Sequence, residues 1–185
     1  LINAPEGSTA TRITAIHALD DQISTWWSSI DSSFQLAEKD TSNMDAIIFP
    51  KVLLINIAYH QCLCALHTSI VPLFSWSEGD YTWLPARQLS AQVAYEHAGA
   101  VSSLLGSTIA RISEASSISS FVGYAAYCGC ATQIPFLWCT ETGVRERAQI
   151  NFRTNVKMIR ILAKHWKFCA LLVIKKRSFD LLTIC

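Results

Sequence analysis

Apolar residues recur at three- and four-residue intervals along most of this 185-residue chain, and polar residues fill the gaps. Through 13–30 the series is Ile13, Ile16, Leu19, Ile23, Trp26 (or Trp27) and Ile30, with Asp20, Asp21 and Asp31 between them. This spacing predicts an amphipathic helix with a solvated acidic side. The polar run KDTSN then reads as a loop. A second helix is predicted to enter near Pro50, a residue suited to a first turn, and to run to about Ser69. Val52, Ile55, Tyr59, Leu63, Leu66 and Ile70 lie on one side of it, Leu53 and Ile57 on another. A helix apolar on nearly every side is expected to be buried, and Pro72 is expected to end it.

A loop holding Trp76 and Trp83 leads to a third predicted helix from Pro85, with Leu89, Val93, Ala100, Leu104 and Ile112 as expected core positions. Serine-rich ASSISS separates it from FVGYAAYCGCATQIPFLWC, where Pro135 should kink or stop the segment. The clearest pattern is the last, predicted as one helix from Val144 to about Lys175. Ala148, Phe152, Val156, Ile159, Ala163, Trp166, Ala170 and Val173 share its apolar face. Arg153, Lys157, Arg160, Lys164 and Lys167 share the opposite, basic face, a candidate partner-facing surface. With no internal repeat, heptad run or low-complexity block, the expectation is an all-α domain of about five packed helices around a buried central one. It would occupy residues 1–175, with 176–185 an atypical tail.

Composition agrees with a packed helical domain. Apolar residues make up 51% and charged residues 16%, which argues against disorder, and five prolines with seven glycines are too few for a many-turned β architecture. Charge is unevenly placed: residues 1–100 hold four Lys/Arg against ten Asp/Glu, and residues 101–185 hold eleven against four. The two halves could attract each other in the fold, or the basic face could serve a partner. Seven cysteines, an odd number set in or beside apolar runs, read as reduced, mostly buried thiols of a nuclear or cytosolic protein. No secretory signal is evident. A start at Leu1 suggests a piece of a longer protein.

Candidate chemistry centres on AYHQCLCALHTSIVPLF, where His60, Cys62, Cys64 and His67 are all metal-ligand types. On a helix His60, Cys64 and His67 fall within about 60° of one another and Cys62 points away. His67 lies about 10.5 Å along the axis from His60, whereas zinc bonds are only about 2 Å long. The expectation is therefore no metal site but a buried polar stripe, Asn56, His60 and His67, that hydrogen-bonds to neighbouring helices or faces a ligand. Cys128 and Cys130 are two residues apart rather than in a CxxC turn. GxSxG, P-loop and GxGxxG motifs are absent, as is a carboxylate pair in apolar surroundings, so nothing points to an enzyme. Residues 52–77 and 115–140 lack Asp, Glu, Lys and Arg and are long enough to cross a bilayer. Their Asn56, His60, Gln61, His67, Gln133 and Pro135 favour buried core helices instead. The KKR at 175–177 is a nuclear-localisation hint of low specificity.

Four segments in order, YHQCLCALHTSIVPLFSW, AQVAYEHAGAVSSLL, FVGYAAYCGCATQIPFLWC and VRERAQINFRTNVKMIRILAKHWKF, give the chain a family likeness over most of residues 12–170. It resembles the regulatory middle homology region of fungal binuclear zinc cluster transcription factors, the xylanolytic-activator-like regulatory domain. The resemblance implies an all-helical module of a nuclear regulator of RNA polymerase II transcription. Such a module would work through other domains of the same factor, co-regulators or a small-molecule effector, without a membrane. It implies no cofactor in this chain. Zinc and DNA contacts belong to an N-terminal six-cysteine cluster with CxxC-x6-C spacing, which no cysteines here match. The tail after Leu172 departs from the family pattern. A membrane-associated helical protein and a helical ligand carrier are the alternatives.

Overall fold

The computed structural model describes residues 9–36, 44–71, 84–111 and 115–176, and the described part is all-α. Six α-helices follow in chain order: α1 (Thr9–Ser29), α2 (Phe49–Thr68), α3 (Leu84–Arg111), α4 (Ser120–Gln133), α5 (Thr142–Leu162) and α6 (Lys167–Lys176). Pro72, the tryptophan loop, Ile112, KDTSN and the tail beyond Lys176 lie outside the described residues.

Helix α2 is the centre. Pro50 sits in its first turn, where a missing N–H costs nothing. Val52, Leu53, Ile57 and Leu63 are buried, but burial on every side is not reached: Ile55, Tyr59, Leu66 and Ile70 are half-buried, and Lys51, Cys62, Ala65 and Ser69 are exposed. Helices α1, α3 and α4 pack on it, α3 most extensively, while α5 lies across α3 and α4. One continuous core runs through Leu53, Ile57, Val101, Leu105, Val122, Ala126, Met158 and Leu162. Length and apolar composition would let α2 alone among the described helices cross a membrane. The second charge-free stretch folds instead into the 14-residue α4, short of the roughly 20 residues a span requires.

Several boundaries follow directly from local chemistry. The Ser119 hydroxyl accepts from Phe121 N–H and caps α4. Pro135 ends α4 at Gln133 by opening a 3-10 turn over Ile134–Trp138. Other expectations are corrected by tertiary contacts. Leu89 is 52% exposed, and α3 turns Ser90, Ala94, Ala98, Val101 and Leu105 inward instead. In α1, Leu19 faces outward, and of the two tryptophans it is Trp27 that packs, stacked on Tyr59 with ring centroids 4.2 Å apart.

The single helix expected from Val144 to Lys175 is two helices. Around the break, Lys164 and His165 N–H bond the carbonyls of Ile161 and Leu162, three residues back. The turn lets the Trp166 indole N–H donate to the Ile118 carbonyl at 2.8 Å. It also brings the fully buried Cys169 against Gly123 of α4. No proline or glycine marks the break, so it is a product of packing.

A methyl group on Gly123 would sit 2.5 Å from Cys169 Sγ. Gly123→Ala should therefore destabilise the fold by about 1–2 kcal/mol despite alanine's better helix propensity. Adding Cys169→Ala should recover much of that loss in a double-mutant cycle read by urea unfolding. Additive effects of the two substitutions would refute the contact.

Candidate functional site

The polar residues of α2 are placed by the helix's burial, because each inward polar atom needs a partner on a neighbouring element. Asn56 is buried and spends its amide on backbone groups. Its Nδ2 donates to the carbonyls of Phe34 at 2.7 Å and Val52 at 2.8 Å, and its Oδ1 accepts from Leu36 N–H at 2.8 Å. It pins the turn after α1 to α2.

One turn further on, His60 meets His97 of α3, with the two Nδ1 atoms 2.8 Å apart. The ring centroids are 5.1 Å apart, close to the N···N distance plus two ring radii, so both nitrogens lie near the line joining the rings. This is the geometry of a direct N–H···N hydrogen bond, in which one imidazole donates and the other accepts. Tyr59 lies edge-on to His97 at 5.8 Å between centroids and is itself stacked on Trp27, which closes the pair off on the α1 side.

His67 links all three helices of this half. Its Nε2 lies 3.2 Å from Asp20 Oδ2 on α1, and its Nδ1 lies 3.1 Å from Ser90 Oγ on α3. A carboxylate only accepts, so Nε2 carries hydrogen. The other oxygen of Asp20 accepts from Ser24 Oγ at 3.2 Å. Asp, His and Ser are thus hydrogen-bonded in series, the order familiar from acyl-transfer enzymes. Ser90 is only 2% exposed, so its hydroxyl faces His67 inside the helix packing. The arrangement orients three helices.

Asn56, His60 and His67 therefore each meet a different partner, with His97 close enough to Asp20 and His67 to feel their charges. Asn56 and His67 are buried and His60 is half-buried. Their partners Asp20, Ser90 and His97 escape a sequence reading: Asp20 looks like part of a solvated acidic side, and His97 lies among small residues of α3. Of the cysteine pairs in question, Cys62 is exposed, whereas Cys64 is buried against Thr132 Oγ1 at 3.4 Å. Burial raises the thiol pKa of Cys64 more than its bond to Thr132 lowers it, and burial likewise raises Cys128. Burial therefore disfavours the thiolate form at both positions. Among the described residues no group of three or more His, Cys, Asp or Glu is placed to hold a metal ion.

A second polar locus lies between α4 and α5. Gln133 and Asn155 are both 0% exposed, and neither side-chain amide has a hydrogen-bond partner among the described residues. Asn155 fills the notch left by Gly129, where a methyl group would sit 2.7 Å from its Nδ2. The five basic residues Arg153, Lys157, Arg160, Lys164 and Lys167 are all exposed on the opposite side of α5 and its continuation. No protein-family model, curated protein or solved structure matches the chain.

Burial, aided by the nearby His97, pulls the pKa of His60 from 6.5 to about 4. Burial lowers His97 as well, with Asp20 and Glu96 opposing and His67 adding to the effect. Below about pH 6.5 the unfolded chain binds protons that the folded pair refuses, so stability is complete above that pH and falls as the pH approaches 4. His60 should account for roughly 2–3 kcal/mol of the loss. Urea midpoints measured across this range should show a shallower slope in His60→Leu than in the parent, and identical slopes would refute the assignment. Separately, Asn155→Leu removes a buried amide that has no partner among the described residues and should raise stability by about 1–3 kcal/mol. A loss of that size in thermal unfolding would show that the amide is solvated inside the core.

Proposed function

We propose that this chain is a regulatory, all-helical module of a fungal binuclear zinc cluster transcription factor. It acts in the nucleus on RNA polymerase II transcription and leaves DNA contact to a zinc cluster elsewhere in its parent protein. The observation that carries the reading is the way the four resembling segments meet. They contribute the C-terminal half of α2, the middle of α3, α4 with its 3-10 turn, and α5 through the start of α6. Each segment meets two of the others: His60 pairs with His97, Cys64 with Thr132, Asn151 lies opposite Gly99, and Asn155 opposite Gly129. Segments resembling one family's regulatory region in the same order thus share a single core, which supports reading them as one functional unit.

In this reading the core holds a rigid scaffold, and regulation passes through the outer faces of the helices to other domains or co-regulators. The buried polar contacts set which helix faces point outward; they do no chemistry themselves.

The full chain, inserted between an unrelated DNA-binding domain and an activation domain in a fungal host, should change reporter output several-fold relative to the fusion without it. A variant that disrupts the core, Gly123→Asp, should abolish the change at equal protein level. Equal output with and without the chain would overturn the regulatory role. The genomic reading frame upstream of Leu1 should encode a six-cysteine cluster, and its absence would remove the zinc cluster parent from the proposal.

A further inference from the structure

Helix α5 has two faces of opposite character. Inward, Ala148, Val156, Met158, Ile159 and Leu162 are buried and fix the helix rigidly in the core. Outward, Arg153, Lys157 and Arg160 follow one another along one side, Lys164 stands in the turn and Lys167 opens α6. All five are exposed, and none has a hydrogen-bond or ion-pair partner among the described residues. Of the acidic residues described in the first half, Asp20 is engaged by His67 and Ser24, and Asp31 by Ser33 N–H. Like charges three and four residues apart on a helix repel by a few tenths of a kcal/mol per pair. A bound polyanion would relieve that repulsion.

We infer that this basic stripe is the docking surface for an acidic protein segment, a peptide with several Asp or Glu side chains able to reach successive cations. Three kinds of polyanion fit such a stripe, and two fit poorly. Nucleic-acid modules carry a strong basic excess, with pI above about 9, whereas this chain has a net charge of +1 and pI ≈ 7.8. A bilayer surface takes a helix whose apolar face is free to enter the lipid, but the apolar face of α5 lies in the protein core. An acidic peptide needs only charges in reach and a modest apolar edge. Ile150, 60% exposed and one turn before Arg153, provides that edge. Glu146, two turns before Arg153, bounds the stripe at its N-terminal end. The inference rests on this surface alone and stands apart from the transcriptional reading.

The test uses the full chain and a fluorescently labelled peptide of about 20 residues in which Asp and Glu alternate with Leu, followed by anisotropy. Binding should be measurable at about 50 mM salt and should weaken steeply as salt rises. The triple variant Arg153→Glu/Lys157→Glu/Arg160→Glu should lose at least about tenfold in affinity with an unchanged circular dichroism spectrum. Should the triple variant fail to fold, the single variant Lys157→Glu should lose about threefold. Unchanged affinity in the folded variants would overturn the inference. So would a random-sequence duplex DNA, or vesicles containing phosphatidylserine, that bound the same residues more tightly than the peptide.

Discussion

The structure depends on burying most of α2, all but the side of Lys51, Cys62, Ala65 and Ser69, while that helix still carries Asn56, Gln61, Cys64 and His67. So apolar a helix needs neighbours on most of its faces, and each polar group drawn in with it costs on the order of 1–3 kcal/mol unless it finds a partner. The neighbouring elements are arranged to supply those partners. The turn after α1 satisfies Asn56, α1 and α3 together satisfy His67, and α4 supplies Thr132 and Cys128 to Cys64 and Gln61. Nonpolar burial draws these helices around α2, and the polar contacts select their register, since a slip of one residue would leave several buried groups unpaired.

Histidines in this half act through the proton count they permit. The His60–His97 contact requires one hydrogen between two facing nitrogens. A second proton would place two N–H groups head to head, and low-dielectric surroundings make that costly. His67 is constrained differently, held between a carboxylate and a hydroxyl. The same residue type thus serves two structural purposes within two turns of one helix, depending on what stands opposite.

In the other half, close approach does the work that polar pairing does around α2. Gly99, Gly123 and Gly129 face Asn151, Cys169 and Asn155, so α3 and α4 come near α5 and α6 through notches rather than interlocked large side chains. This anchoring holds α5 in place and leaves its cationic side in solvent. A rigid helix with one face committed to the core presents its charges at fixed spacing, which favours a partner that matches that spacing.

Helical periodicity alone determined the all-α class, the apolar core positions Leu53, Ile57 and Leu63 of α2, the end of α4 before Pro135 and the two faces of α5. Each follows from which residues share a stripe on one helix, or from a residue that cannot continue one. Period does not say which neighbour a stripe meets, and there the tertiary structure decided. It paired His60 with His97 and drew Asp20 inward to His67. It rotated α3 so that Ser90 rather than Leu89 faces the core, and it broke the last helix so that Trp166 reaches Ile118. These contacts join residues 37 to 48 positions apart, apart from the 23 between His67 and Ser90. Their energies arise only when distant helices are already packed, so no local pattern in the chain could have carried them.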